Sequence, residues 1–133
     1  MKESKINIVD LLLEQDASKI RDLPTAQIRI TRLSDIIGAD FCLEIRALTG
    51  AEIESMPDGM EGIDRKILTA VKNFDFTDAQ LRGKFTPDGR CTPLTPTELI
   101  DVLLLPGEKI QIVRKINDLS GYTDDAVEVI KKN

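Results

Sequence analysis

Few residues of this 133-residue chain have the chemistry of a catalytic or metal site, and the sequence contains no histidine. Histidine is the commonest general base, and it usually activates a nucleophilic serine or cysteine. The two cysteines, Cys42 and Cys91, stand far apart in the sequence, whereas zinc normally requires a full set of nitrogen and sulfur ligands. We therefore predict no activated nucleophile and no metal site. So few cysteines also suggest a reducing compartment, with these thiols buried or incidental.

Acidic side chains could supply acid–base chemistry or bind calcium if they converged on one site. They lie close together in the sequence as the pairs Asp58 and Glu61, Asp75 and Asp78, and Asp124 and Asp125. The first and last pairs fall in a predicted loop and near the C-terminus, where solvated surface charge is the usual explanation. The middle pair lacks the spacing and the terminal glutamate of a calcium loop, and no glycine-rich phosphate loop follows a predicted strand. We therefore predict that the protein is not an enzyme and uses no cofactor.

Charge and hydropathy argue against two classes of partner. The chain has 18 basic and 23 acidic residues and a net charge of −5, so it lacks the positive surface expected of a nucleic-acid-binding protein. The same charge disfavours anionic membranes, and no apolar run approaches the roughly 18 residues of a membrane-spanning helix. The acidic N-terminal segment is a poor signal peptide. These features predict a soluble cytoplasmic protein, with an aliphatic core because the sequence has no Trp, one Tyr and four Phe.

The clearest structural signals lie in the C-terminal third and predict two helices joined at a Pro-Gly corner. Thr95 and Glu98 form a capping-box pattern, and Pro96 stands at the first helical position, where its missing N–H costs nothing. Pro106 ends the first helix and can begin the second. Apolar residues at helical spacing follow, and Gly121 is placed to end the second helix in a left-handed conformation.

This corner can be explained in two ways. It is either a tight interhelical turn whose leucines belong to the core, or a rigid corner that presents Leu103, Leu104 and Leu105 to a partner. The structural explanation is favoured because core leucines are commoner than binding leucines, yet consecutive leucines are hard to bury in so small a domain. An exposed apolar patch would indicate a protein partner or a homo-oligomer. The residues expected at such an interface are Leu103, Leu104, Leu105, Pro106, Gly107, Glu108, Ile112 and Tyr122.

The N-terminal part of the chain predicts a short helix followed by a β-hairpin. Residues 7–15 have helical apolar spacing, but such a helix is too short to be stable alone and must dock on another element. Residues 16–25 are polar and predict a connector. Residues 27–31 and 41–47 alternate between apolar and polar side chains, as half-buried strands do. With a turn at 34–40, they predict an antiparallel hairpin that packs against helices.

The middle of the chain predicts further short helices. Thr49 and Glu52 form one capping-box pattern, and Thr77 and Gln80 form another. Residues 63–74 fit helical spacing, although part of the segment also alternates like a strand; helix is favoured because its apolar matches span more of the segment. We predict loops at 56–62 and 86–94 and a helical turn in the tail at 123–133.

Together these elements predict a single α+β domain, residues 1–133, in which helices dominate. An antiparallel β-hairpin packs against several helices, and a helical hairpin lies near the C-terminus. The parts are an N-terminal helix and connector (1–25), the β-hairpin (26–48), a helical part (49–122) and a tail (123–133).

Several segments resemble the XkdN-like tail assembly chaperones of long-tailed phages and prophages. The matching segments are AVKN (70–73), FTDAQLRGKF (76–85), LTP with EL (94–99), LLLPGE (103–108) and LSGY (119–122). Weaker matches are DLLL (10–13) and the RALT segment with a glutamate after it (46–52). The resemblance covers most of the chain, and LLLPGE followed by SGY is its most specific part.

The resemblance implies a non-catalytic protein of the host bacterial cytoplasm that is absent from the mature virion. Such chaperones bind the long helical tape measure protein, keep it soluble, and help tail-tube subunits assemble around it. The family also has longer frameshifted products, and Lys131 and Lys132 would fit an A-rich slippery codon run. Two other hypotheses remain open: a small structural tail or connector protein of the virion, and an acidic regulator that blocks a basic host partner.

Overall fold

A computed structural model describes residues 7–130, and within them it shows an α+β fold in which helices dominate. The elements in chain order are α1 (Ile8–Glu14), α2 (Ala17–Arg21), β1 (Thr25–Arg29), α3 (Thr31–Ile37), β2 (Cys42–Arg46), α4 (Gly50–Glu54), α5 (Gly59–Ala70), α6 (Ala79–Lys84), α7 (Pro96–Leu103) and α8 (Pro106–Leu119). This confirms the predicted fold class, including the helical pair near the C-terminus. The two lysines linked to frameshifting lie outside the described residues.

The two strands form the predicted antiparallel pair, in which Ala26 lies opposite Ile45 and Ile28 lies opposite Leu43. Leu43 and Ile45 are fully buried, whereas the alternating residues of β2 face outward. The hairpin therefore has the half-buried pattern that its sequence indicated.

The predicted turn between the strands is wrong, because α3 connects them instead. Ser34 stabilises this short helix across the connection: its hydroxyl donates to the Ile30 carbonyl at 2.8 Å and accepts from the Phe41 N–H at 2.8 Å. The helix ends at Gly38, whose φ of 73° lies in the left-handed region that glycine tolerates best. Hydrogen bonds to both ends of the connection thus hold a helix that the local composition does not indicate.

Segment 63–74 contains both of the structures that its sequence suggested. The favoured helix is confirmed, since α5 ends at Ala70, but α5 already begins at Gly59, so the predicted loop at 56–62 is too long. Val71 then leaves the helix and pairs with Ile45 as an isolated antiparallel bridge. The next residues also cover β2, because Asn73 accepts from the Glu44 N–H at 2.8 Å.

The core lies between the hairpin and the helices α5, α7 and α8. Its largest fully buried side chains are Leu43, Ile45, Ile67, Leu99, Ile100 and Ile116. All are aliphatic, as the composition predicts. Aromatic side chains form a small cluster at one side, where the Phe74 ring lies 4.7 Å from that of Phe76 and 5.7 Å from that of Phe41.

Three other local predictions need correction. The polar connector contains α2, which Asp16 caps by accepting from the Ser18 N–H. Asp78, and not Thr77, caps α6, because Thr77 bonds to Asp75 instead. Residues 123–127 form turns and bends, and residues 128–130 have no regular structure, so the predicted helical turn is absent from the described part of the tail, whose side chains are all exposed.

Candidate protein-binding surface

The corner between α7 and α8 has the local structure that its sequence specifies. Thr95 accepts from the Glu98 N–H at 3.2 Å, and the Glu98 carboxylate accepts from the Thr95 N–H at 3.0 Å, which completes the capping box. Leu104 and Leu105 are extended, and Pro106 occupies the first turn of α8. The two helices therefore follow each other with no longer loop between them.

The far end of α8 closes as a Schellman motif. Gly121 has a φ of 94°, and its N–H donates to the Asp118 carbonyl at 3.1 Å. The Tyr122 N–H donates to the Asn117 carbonyl at 3.0 Å. The predicted left-handed glycine at this position is confirmed.

Arg32 of α3 forms hydrogen bonds to both helices of the corner. Its guanidinium donates to both Glu108 carboxylate oxygens, at 3.1 and 3.0 Å, and to the Leu103 carbonyl at 2.8 Å. The same carboxylate accepts from the Leu105 N–H at 2.7 Å. The hydrogen bond from Arg32 lowers the pKa of Glu108, and the bond from Leu105 adds to this effect against the opposing effect of burial. One glutamate therefore joins α3 to the beginning of α8.

A buried ion pair holds α8 against α5. The Lys109 ammonium lies 3.0 Å from an Asp64 oxygen and 2.5 Å from an Asp101 oxygen, and only 4% of Lys109 and 4% of Asp64 are exposed. Burial acts to lower the pKa of Lys109, but the hydrogen bonds to Asp101 and Asp64 outweigh it, so the lysine stays charged. Sequence reasoning missed this pair. The sequence feature that could have indicated this pair is a lysine on the apolar stripe of α8, since Lys109 stands three residues before Ile112.

The eight predicted interface residues do not form one surface. Leu104 and Ile112 are buried in the core, and Leu103 and Glu108 are partly buried. Exposed members of the set are Leu105, Pro106, Gly107 and Tyr122. Tyr122 lies beyond the opposite end of α8, a helix roughly 21 Å long. The corner and Tyr122 are therefore separate parts of the surface.

A groove brings three of the predicted residues together with residues that the sequence did not single out. It has a volume of about 720 Å³ and lies between α8 and the segment formed by β1 and α3. Its lining comprises Ile28, Arg29, Ile30, Thr31, Arg32, Asp35, Leu105, Glu108, Gln111, Ile112 and Lys115. Isoleucines supply an apolar floor, and charged side chains surround it. We call this site the α8 groove.

Exposed apolar side chains occur in α1, at the corner, at the end of α3 and in the C-terminal tail. In α1 no residue is buried, and Ile8, Val9, Leu11, Leu12 and Leu13 are all exposed. The sequence predicts that this helix docks on another element. Within residues 7–130, however, α1 buries no residue against another element. At the corner, 52% of Leu105 is exposed, and Val102 and Ile110 are also exposed.

Residues 7–130 show no cluster of metal ligands and no membrane-spanning helix. No group of three or more histidine, cysteine or acidic residues is placed to hold a metal ion in that range. None of the described helices is long and apolar enough to cross a membrane. Cys42 and Cys91 are both exposed free thiols, so of the two expectations for them, buried or incidental, burial is excluded.

A small α+β domain that exposes apolar side chains beside an open groove has the features of a protein-binding domain. The comparisons with known proteins identify its family. The model of the phage XkdN-like tail assembly chaperone proteins matches residues 9–132, so the chain belongs to that family. No curated protein and no solved structure matches the chain. The family match confirms the resemblance based on the LLLPGE and SGY segments.

Proposed function

We propose that this tail assembly chaperone binds the tape measure protein of its phage, keeps it soluble in the host cytoplasm, and assists the assembly of tail-tube subunits around it. It performs no reaction and needs no cofactor. Membership of the family supports a role with tail proteins. The α8 groove supports a role that consists of holding another chain.

The observation that carries the proposal is the combination of an apolar groove floor and an exposed leucine at its edge. Ile30 and Ile112 are buried at the floor, while Leu105 is 52% exposed at the corner. An amphipathic helix inserts its apolar face into such a groove and keeps its polar face in water. The tape measure protein, which is long and helical in this family, would supply that face.

The groove is preorganised for this task. Arg32 joins its two sides through Glu108 and the Leu103 carbonyl. A groove that is already fixed loses little conformational entropy on binding. We therefore expect the client helix to order on the chaperone, with little change in the walls of the groove.

Co-expression tests the proposal. The tagged chaperone is produced together with the longest open reading frame downstream in the same operon, and the two are purified through the tag. We expect a soluble complex, and insoluble or degraded tape measure protein when the chaperone is omitted. Recovery of the tape measure protein in equal soluble amounts with and without the chaperone would contradict the proposal.

A pair of matched variants tests the groove itself. Leu105→Asp places a charge at the groove, yet it should not unfold the protein, because Leu105 is the N-cap of α8 and aspartate is a preferred N-cap residue. Val102→Asp is the control, since Val102 is 50% exposed but does not line the groove. We expect Leu105→Asp to reduce client binding at least about tenfold, which corresponds to about 1.4 kcal/mol. Equal binding by both variants would exclude the groove as the client site.

Mass spectrometry of purified phage particles separates this role from that of a structural tail or connector protein. We expect no chaperone in the finished particle. A stoichiometric amount would replace the proposal with a structural role.

A further inference from the structure

The outer edge of β1 presents unpaired backbone groups. In an antiparallel pair, backbone N–H and C=O groups point alternately toward and away from the partner strand. Ile30 donates to Phe41 at 2.9 Å and Ala47 donates to Pro24 at 2.8 Å, so even-numbered residues of this strand face β2. The backbone groups of Thr25, Gln27 and Arg29 consequently point outward. Within residues 7–130 no hydrogen bond to these outward groups is present.

In contrast, backbone groups at the outer edge of β2 are hydrogen-bonded. The Lys72 N–H donates to the Glu44 carbonyl at 2.8 Å. Asn73 accepts from Glu44 and donates to the Cys42 carbonyl at 3.1 Å. The outer edge of β2 is therefore covered by the chain that follows α5. The edge of β1 has no such cover among the described residues, and an open edge is a template for another strand.

A second surface without a packing partner among residues 7–130 directly precedes this edge. We call residues 7–24, which contain α1 and α2, the N-terminal arm. Neither helix buries any residue, and Leu11, Leu12 and Ile20 are among the exposed apolar side chains. A seven-residue helix is marginal in water unless it packs on something. The arm therefore requires a docking site beyond its present contacts.

We propose that two copies of the chain form a two-fold dimer through antiparallel pairing of their β1 edges, with each N-terminal arm packed on the α8 groove of the other copy. The outward residues allow a self-complementary register, in which Gln27 pairs with Gln27 of the second copy and Thr25 pairs with its Arg29. No like charges face each other directly in this register. Each pair can exchange two backbone hydrogen bonds.

This register brings the arm to the groove. Because the strands run in opposite directions, Thr25 of one copy lies beside Arg29 of the other. The arm ends just before Thr25, and the groove begins at Arg29 and continues along α3 and α8. The N-terminal arm of one copy therefore emerges next to the groove of the second copy.

Charge and area both favour the arm as the occupant. α1 contains Asp10 and Glu14 and no basic residue. The groove is lined by the basic residues Arg29, Arg32 and Lys115 and by the acidic residues Asp35 and Glu108, so basic residues outnumber acidic ones by one. A pair of five-residue strands is much smaller than the interface of about 800 Å² per partner in stable complexes. Both arms must therefore contribute apolar surface if the dimer is to be stable. The arm and a client helix would occupy the same groove, so the dimer is the client-free form and a client must displace the arm. The dimer proposal does not depend on the identity of the client protein.

Measurement of mass in solution tests the dimer directly. For a chain of 14.8 kDa, sedimentation equilibrium of the full chain should give twice that mass, falling on dilution. Gln27→Pro removes the central outward N–H, and proline is tolerated at a strand edge whose N–H is not used in the fold. Gln27→Val keeps the N–H and serves as the control. We expect a monomer for the first and a dimer for the second, with unchanged circular dichroism for both.

Leu12→Asp tests the arm without changing the core, because Leu12 is exposed. Each dimer buries this leucine twice, so we expect the dimer dissociation constant to rise about 100-fold. Glu14→Gln removes a charge from the same helix and keeps its apolar face, so it should change the constant much less.

Disulfide trapping tests the register in a background in which Cys42 and Cys91 are replaced by serine. Gln27→Cys should form a homodimeric disulfide on oxidation, because paired Cα atoms lie about 5.5 Å apart. Thr25→Cys alone should not form a disulfide, but a mixture of Thr25→Cys and Arg29→Cys should form a mixed disulfide.

The alternatives give different results, and each would overturn the proposal. A monomer at every soluble concentration would show that the edge is unused or that the arm covers the groove of its own chain. A dimer that survives both Gln27→Pro and Leu12→Asp would use another surface. Trapping of Thr25→Cys with itself would indicate another antiparallel register or parallel strands. A free chain that is monomeric and forms a complex only with a client would show that the two copies do not pair.

Discussion

Removal of Asp64 should destabilise the fold far more than removal of Asp101, although both carboxylates contact the same Lys109 ammonium. Asp64 is 4% exposed, and Lys109 is equally buried. The Asp64→Ala variant therefore leaves a buried ammonium without its buried partner, and breaking such a pair costs about 3–5 kcal/mol. The side chain of Asp101 is 53% exposed, and an exposed ion pair contributes only about 0–1 kcal/mol.

Urea unfolding followed by circular dichroism at neutral pH measures the difference. The chain has no Trp, so the helical signal is the better probe. With a slope of about 2 kcal/mol/M, a loss of about 4 kcal/mol lowers the unfolding midpoint by about 2 M. Asp101→Ala should lower it by less than about 0.5 M. The reasoning is refuted if both variants shift the midpoint equally.

A double variant separates the cost of an unpaired charge from the net value of the pair. Asp64→Leu combined with Lys109→Met replaces both charges with apolar side chains of suitable size. Such replacements are often neutral or stabilising, because the desolvation cost of two charges disappears with them. We expect the double variant to be more stable than either single variant. A double variant less stable than the wild type would mean that the pair contributes net stability relative to apolar side chains. A loss equal to the sum of the two single losses would mean that the two residues are not coupled.

Two further predictions concern local features. Gly62→Ala should cost about 1–3 kcal/mol of unfolding free energy, because an added Cβ would lie 1.9 Å from the Pro57 carbonyl oxygen. Gly83→Ala should be neutral or stabilising in thermal melts, because nothing lies within 4 Å of its Cβ position. Hydrogen bonds from Arg46 lower the pKa of Glu52 from 4.5 to about 2, so its contribution to stability is complete above pH 4.5 and is lost as the pH falls through about 2. Urea midpoints measured between pH 5 and pH 2 should therefore decline less steeply for Glu52→Gln than for the wild type, while Glu54→Gln, an exposed change in the same helix, should follow the wild type. A Gly62→Ala protein as stable as Gly83→Ala, or parallel acid profiles for the two glutamine variants, would contradict these expectations.

The sequence by itself determined the elements whose signals are local. The boxes at Thr49 and Thr95, the proline at the start of α8 and the glycine at 121 all act through groups within a few residues of each other. The alternation of apolar and polar residues likewise identified both strands, because successive side chains of a strand point to opposite faces. The LLLPGE and SGY segments were enough to indicate the family.

The tertiary structure alone determined the features that depend on contacts between residues far apart in the sequence. Lys109 is buried because Asp64, 45 residues away, accepts a hydrogen bond from its ammonium. Among the consecutive leucines, packing placed Leu104 in the core and left Leu105 exposed. The groove beside Leu105 exists because α3 and α8 meet across 76 residues, through Arg32 and its carboxylate partner. Side chains that lie together only after the chain has folded leave no periodic signal in the sequence, so a surface built from them becomes visible only in three dimensions.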